Sequence, residues 1–414
     1  MLQGTRVLDL TDESGFLAGK ALADMGADVL KLEPPGGDPA RRAPYLGEIE
    51  DPERSLLWLA MNTSKRGITL DWQTDAGSEL FRRIVGQVDV VLETQTPRAP
   101  DSLEARGIGW QALLPANPKL IWCSITPFGQ TGPYSEYLAN DLICVAMGGN
   151  QQVTGWHDRA PIACTMPTAY YHGGSEAALA VAMALYARIT GGGGQHVDVS
   201  LHEAQLQTHL SGPAQHAYDP GRAALRKRPG DAMGQSREIW KTADGYVSYG
   251  LRGGPSRIPN LIALTDWMRE CGELPDWLQE YDWKSYNHNL LDHEGFRPFE
   301  EAFGAFFEKR TMRDLYRNAV ERRFFLAPCN DAREIAEHIQ LRAREFFVDV
   351  EYDAFGGTVE HPRSFAHASE GGIAVRHRAP RIGEHDDAVY AELGIEPAEL
   401  AALRKAGVVR EATV

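Results

Sequence analysis

The residues able to do chemistry are unevenly spread along this chain. Between Asp158 and Asp198 the only acid is Glu176, so carboxylate chemistry there rests on Glu176 or on Asp141, upstream in Ala139-Asn-Asp-Leu. Glu176 stands near the start of Ser175-Glu-Ala-Ala-Leu-Ala-Val-Ala, where a glutamate favourably meets a helix dipole. His157 and His172 are close by, but a lone histidine is more often a hydrogen-bonded structural residue than a base. Cations gather elsewhere. Arg41-Arg42 follow Pro34-Pro-Gly-Gly-Asp, and Lys65-Arg66 follow Asn62. A phosphate-bearing ligand wants such cations together with backbone N–H groups at a helix start. Five cysteines, at 123, 144, 164, 271 and 329, are widely spaced with no Cys-x-x-Cys. That pattern suits a reducing cytosol and offers neither a disulfide framework nor a zinc site.

The elements that must position these residues alternate from the start. Arg6 to Leu10 reads as a short strand, Gly15 to Met25 has helical spacing, and Ala27 to Leu32 is a second strand. Gly26 falls where a helix C-terminus places a left-handed residue. Ser78 to Val85 reads as helix, with Val88 to Leu92 and Leu120 to Ser124 as further strands. Strands alternating with helices predict an α/β fold around a parallel sheet covered on both faces. Beyond Asp198-Val-Ser-Leu the character changes. Gly221-Arg-Ala-Ala-Leu-Arg-Lys-Arg-Pro-Gly is basic and punctuated, and reads as an exposed, solvated crossing segment. Asp244-Gly-Tyr-Val-Ser-Tyr-Gly predicts a hairpin strand opening a second domain, Glu300 to Ala319 a helix, and Phe346-Phe-Val-Asp-Val-Glu-Tyr a late strand.

A length of 414 residues exceeds one average domain and predicts two. The net charge of -15 argues against nucleic acid and anionic membrane as partners, since both repel an acidic surface. The longest apolar run, Ala177 to Ala187, is far short of the roughly 20 residues that cross a bilayer. Met1 to Leu10 shows no basic region followed by an apolar core, so no secretory signal is read and a cytoplasmic location is expected.

Several motifs together resemble the class III CoA-transferase family, of CaiB/BaiF type. They are Leu22-Ala-Asp-Met-Gly-Ala-Asp-Val-Leu-Lys-Leu-Glu-Pro-Pro-Gly-Gly-Asp-Pro, Asn62-Thr-Ser-Lys-Arg-Gly-Ile-Thr-Leu-Asp and Phe128-Gly-Gln-Thr-Gly-Pro-Tyr. Pro167-Thr-Ala-Tyr-Tyr-His-Gly-Gly-Ser, Thr190-Gly-Gly-Gly-Gly-Gln-His-Val-Asp-Val-Ser-Leu and Ala379-Pro-Arg-Ile-Gly-Glu-His follow in the same order. The resemblance implies a large Rossmann-like α/β domain, a smaller α+β domain and an interlocked dimer. The large domain is expected over 1–210, a linker over 211–229, the small domain over 230–334 and the completing segment over 335–414.

The family's chemistry uses an aspartate that attacks a donor thioester, giving an enzyme-bound anhydride and then an aspartyl-CoA thioester. Here the matching position is Ala169, or Tyr170 if the alignment slips by one. A methyl cannot attack, and a phenol with a pKa near 10 stays protonated at neutral pH. Asp141 is the fallback acid. It lies where the family carries an acid supporting the site, and moving the nucleophile there would forfeit most of the proximity gain. The family's racemases use a histidine and an aspartate at what are here Asn140 and Ala169, so racemase chemistry is disfavoured. The phosphates of a CoA ligand call for cations, and Arg41, Arg42, Lys65 and Arg66 are the candidates; the resemblance adds Leu70 at a position lining the adenine pocket, Arg106 one residue from a phosphate-binding position and Thr94 where the family has a contacting asparagine, with the CoA thioester as substrate and no permanently bound cofactor or metal. Where the family reads Glu-Asn-Phe-x-Pro-Gly, this chain reads Glu93-Thr-Gln-Thr-Pro-Arg, so two CoA-contacting residues are replaced.

A kept scaffold with a lost nucleophile implies a partner subunit. The chain is expected to pair with a homologous catalytic CoA-transferase subunit that carries the aspartate, moving CoA from a succinyl-CoA type donor to an acid such as benzylsuccinate. Two alternatives stay open: a homomeric transferase using another acid such as Asp141, and a non-catalytic acyl-CoA-binding protein.

Overall fold

The computed structural model describes residues 1–97, 99–155, 159–208, 216–217 and 236–411. It divides into two compact units. The first comprises Met1–Gly148, Cys164–Leu210 and Gln340–Val414, and the second Gly149–Ala163 and Ser211–Ile339. The basic segment 221–230 and His157 lie outside the described residues.

The first unit is built on a six-stranded sheet. Its strands are β1 (Arg6–Asp9), β2 (Asp28–Glu33), β3 (Arg66–Thr69), β4 (Val90–Glu93), β5 (Ile121–Thr126) and β6 (Gln195–Ser200), in the order β3-β2-β1-β4-β5-β6. All neighbours run parallel, with Leu8 paired to Leu30 and Val91. Strand side chains alternate between faces. Leu8, Leu30, Ile68, Val91 and Trp122 therefore share one core, and Val7, Val29, Val90, Cys123 and Ile125 the other. Burial on both faces explains why these strands read as continuous apolar runs.

Helices cover both layers. In chain order they are α1 (Phe16–Asp24), α2 (Leu56–Met61), α3 (Asp75–Val85), α4 (Trp110–Leu113) and α5 (Asp141–Met147). After α6 (Asn150–Val153), which belongs to the second unit, come α7 (Thr168–Ile189) and α8 (Leu201–Gln207). Gly26 ends the α1 turn at φ +103°, the left-handed geometry its position predicts. The motif glycines of α7 serve packing. A Cβ on Gly174 would stand 2.9 Å from Leu17, and one on Gly173 would stand 2.3 Å from Leu201. Only glycine lets α7 approach α1 and α8 so closely.

The second unit carries an antiparallel sheet of β7 (Ile239–Lys241), β8 (Tyr246–Ser248) and β9 (Ala327–Pro328), the hairpin read from Asp244 onwards. Around it pack α9 (Ile258–Glu270), α10 (Asp276–Gln279), α11 (His293–Glu308) and α12 (Met312–Arg322). The single helix expected over 300–319 is two. Thr311 caps α12 by accepting from the Asp314 amide at 3.1 Å, and this N-cap breaks the run. Phe296, Phe303, Phe306 and Phe307 project from α11 into a core with Trp240 and Tyr249.

The chain then returns to the first unit. There β10 (Phe347–Tyr352) and β11 (Gly357–Pro362) form an antiparallel hairpin. Helices α13 (Asp386–Glu392) and α14 (Pro397–Lys405) close the edge of β3. Asp386 accepts from the Thr69 amide and hydroxyl, both at 2.7 Å, the Tyr390 hydroxyl donates to the Thr69 carbonyl at 2.7 Å, and the Arg410 amide donates to the Thr69 hydroxyl at 3.0 Å.

Candidate functional site

In an open parallel sheet ligands settle beyond the carboxyl ends of the strands, where the strand order reverses. That point lies between β1 and β4. The loop after β1 turns through Thr11, Asp12 and Ser14 into Gly15, the N-cap of α1, which has no side-chain cap. Thr94, just after β4, accepts from the Asp12 amide at 3.0 Å. A Cβ on Gly15 would stand 2.7 Å from Thr11 and 2.8 Å from Thr94, so a tight crevice fixes this residue type. Gln95 donates its amide to Glu93 and accepts from the Leu103 amide at 2.9 Å, folding the following loop back on itself.

Directly behind the crevice sits a buried charge cluster. Lys65, fully buried, donates to Asp9 at 2.8 Å, to Asn62 at 2.9 Å and to the Phe16 carbonyl at 3.1 Å. Lys31, also fully buried, donates to the Thr11 carbonyl and stands 3.6 Å from Asp38. Burial pulls the Lys65 ammonium down to about 8 against the opposing pull of Asp9. Burial likewise opposes ionisation of Asp9, but the two lysines overcome it and hold the carboxyl below the ordinary range.

The cations read as CoA contacts take different positions. Arg41 is buried, bonded to Glu33 at 2.7 Å, to Glu53 at 2.8 Å and to the Pro380 carbonyl at 3.0 Å, and stacked 3.7 Å over Trp58. Arg66 is paired to Asp28 at 2.7 Å and Glu392 at 2.8 Å. Lys65 is enclosed as described, and Leu70 belongs to the core. Arg106 bonds Asp75 at 2.9 Å and Ser78 at 3.0 Å. Arg42 alone of the seven has a side chain more than half exposed, 52%, and it pairs with Glu13. The structure thus brings Arg42 and Thr94 towards the α1 loop, while Arg41, Lys65 and Arg66 are engaged within the protein.

A second focus is the start of α7. Its N-cap is Pro167, which supplies no side-chain acceptor. Asp141 fills that role from α5, accepting from the Ala169 amide at 2.7 Å and the Tyr170 amide at 3.3 Å. Its own helix is capped by Asn140, which accepts from the Ile143 amide at 3.2 Å. Burial raises the Asp141 carboxyl, and these two amides pull the other way. Ala169 is fully buried, its methyl in the core. Burial pushes the half-buried Tyr170 phenol up to about 12, so it offers no phenolate at neutral pH. His172 and Glu176 are exposed.

Two features escaped the sequence reading. Lys31 and Asp9 form the charge cluster with Lys65, and the signal was a lysine inside the apolar run Val29-Leu-Lys-Leu. Glu93 is nearly fully buried and raised to about 7 by burial. Beside it, Ser124 hydrogen-bonds His196 at 3.0 Å, and His196 stacks on Trp110 at 4.1 Å. Among the described residues no group of three or more His, Cys, Asp or Glu could hold a metal, and no helix is long and apolar enough to cross a membrane.

Comparison with known proteins agrees with this architecture. A crystal structure of a CaiB/BaiF family protein from Brucella suis superposes with a TM-score of 0.78 at 28% identity, covering 94% of this chain and 98% of that one. The BbsE subunit of succinyl-CoA:(R)-benzylsuccinate CoA-transferase from Thauera aromatica is 30% identical over 407 residues, 98% of this chain and 97% of that protein. Succinate–glutarate CoA-transferase from Agrobacterium fabrum is 31% identical over 399 residues, 95% of each chain. The model of CoA-transferase family III matches residues 2–386. With a doubly covered parallel sheet, full-length relatives and a family match across nearly its whole length, this chain is a class III CoA-transferase belonging to CoA-transferase family III.

Proposed function

We propose that this chain is the subunit lacking the aspartate nucleophile in a heteromeric class III CoA-transferase. The observation that carries this reading is the start of α7, where Ala169 is buried and the nearest acid, Asp141, is held by two backbone amides. The sister subunit supplies the aspartate. Its carboxylate attacks the donor thioester carbonyl and expels CoA thiolate; the thiolate attacks the aspartyl carbonyl of the anhydride and releases the donor acid. The acceptor carboxylate then repeats the exchange in reverse.

The donor is of succinyl-CoA type and the acceptor a carboxylic acid such as benzylsuccinate, as supported by the likeness to a subunit of the Thauera aromatica enzyme. CoA is a passing substrate and not a resident cofactor, with Arg42 and Thr94 the candidate contacts beside the α1 loop at the sheet's switch point. The apolar face of α7, with Leu179, Met183 and Tyr186 exposed, and that of α5, with Leu142 and Met147 exposed, supply the surface for an interlocked sister. Five unpaired cysteines fit a cytoplasmic setting.

The test is turnover of succinyl-CoA with benzylsuccinate by the chain alone, and after co-expression with an aspartate-bearing homologue. Activity is expected only in the mixed assembly, and Ala169→Asp alone is expected to trap no hydroxylamine-sensitive acyl-enzyme. Turnover by the chain alone that disappears in Asp141→Asn would sink this reading in favour of the homomeric alternative.

A further inference from the structure

The second unit contains a cavity of about 200 Å³ that no step above uses. Glu238, Ser248, Arg252, Arg257, Asn260 and Phe325 line it. Two of its cations differ in kind. Arg252 is neutralised by Glu238, its Nε standing 3.0 Å from the carboxylate. Arg257 is exposed and has no acid within ion-pair reach among the described residues; its guanidinium lies over the ring of Phe325, 5.6 Å from the centroid. Phe325 itself is 67% exposed, an apolar face left in water.

One buried side chain sets the spacing of this pair. Asn260, 7% exposed, donates from Nδ2 to the Arg257 carbonyl at 2.9 Å and accepts at Oδ1 from the Phe325 amide at 2.9 Å. The amide thereby ties the start of α9 to the strand entry before β9, and holds a free cation and a free ring on the same rim. An aromatic ring under a guanidinium with no counter-anion is a pairing that a ligand with an anionic end and a flat apolar body completes.

We propose that this cavity binds a small aromatic or apolar monocarboxylic acid, with Arg257 taking the carboxylate and Phe325 the ring. The size sets the class. Sites for drug-sized ligands run from about 300 Å³ upward, so this one fits an acid of roughly a dozen heavy atoms. The charge sets the valence: with Arg252 already paired, one positive charge remains, which matches a monoanion and leaves a dianion such as phosphate half compensated. The Ser248 hydroxyl is the remaining polar group open to the second carboxylate oxygen. The inference goes beyond the proposed subunit role, because no residue of the first unit enters it.

The experiment is titration of the full chain with 3-phenylpropanoate by calorimetry or ligand-observed NMR, beside 3-phenylpropanamide and inorganic phosphate. Binding in the millimolar range or tighter is expected for the carboxylate, with the amide and phosphate each at least about ten-fold weaker. Arg257→Gln should cost roughly ten- to hundred-fold, Arg257→Lys less, and Phe325→Ala several-fold. Glu238→Gln, which releases Arg252, should tighten the carboxylate. All of these except Glu238→Gln alter exposed side chains, and matching thermal melts of each variant guard against misfolding. No binding by the parent, equal binding of the amide, or an Arg257→Gln variant that binds as the parent does would each overturn the proposal.

Discussion

The starts of α1 and α7 are the same problem solved in two ways. Each helix begins without a side-chain cap at its N-cap, Gly15 in one and Pro167 in the other, and each leaves N–H groups for something else to satisfy. At α7 the protein supplies its own anion: Asp141 reaches across from α5 to the second and third amides. At α1 no acid stands in the first turn, and the lysines behind it are neutralised from below by Asp9. The first turn that borders the sheet's switch point has no acid of its own, while the first turn of α7 is filled by one. The difference teaches that the two helix starts have different uses: the start of α7 is a structural joint closed by Asp141, and the start of α1 has no acid in its first turn.

The largest test of that contrast is Asp9→Ala. It strands Lys65 in the core without its counter-charge, and breaking a buried pair this way costs about 3–5 kcal/mol. Urea unfolding followed by tryptophan fluorescence should show the midpoint collapse; a loss below roughly 1 kcal/mol would mean that the cluster relaxes to water, against its burial. Next comes Asp141→Ala, which removes a cap and should cost about 1–2 kcal/mol, with Asp141→Asn retaining part of it. A neutral result would deny that α7 depends on this joint. A third test is in pH. The folded Glu93 carboxyl is raised to about 7, so the native state holds a proton that the unfolded chain releases near the ordinary carboxyl value of about 4.3. Its contribution is fully present below that ordinary value and is lost as pH rises through about 7. Unfolding free energies measured from pH 5 to 7.5 should fall in the parent and fall less in Glu93→Gln. A residual slope is expected from Asp386, also raised to about 7 by burial.

Much of the first unit was legible because its strands β1 to β5 are largely buried on both faces and its helices start or stop at recognisable residues. Gly26 declared the end of α1, and Val29-Leu-Lys-Leu-Glu declared β2. The division of the helix at Thr311 was written as Thr311-Met-Arg-Asp, an N-cap pattern that the phenylalanine spacing upstream overshadowed. The site was less legible. Arg41, Lys65 and Arg66 look alike in sequence, as cations beside glycines and prolines, yet Lys65 and Arg66 are taken up by acids distant in the chain, Asp9 and Glu392, and Arg41 by Glu33 eight residues back. Whether a cation faces solvent or an internal carboxylate is decided by tertiary packing, and local spacing carries no record of it. Asp141 was read as a supporting acid without the reason, because its partner amides lie 28 and 29 residues away.

The bonds made by Asp386, Tyr390 and Arg410 to Thr69 have a consequence for how the chain is made. The outer strand of the large sheet receives these partners 317 to 341 residues after its own synthesis. On the ribosome, β3 therefore waits with an unfinished border while most of the second unit emerges and can gather its own phenylalanine core. Long-range closure of this kind slows folding and leaves a strand edge open to wrong neighbours in the interval. Truncation within the last thirty residues should accordingly be felt first as aggregation of nascent chains, and only afterwards as lost activity.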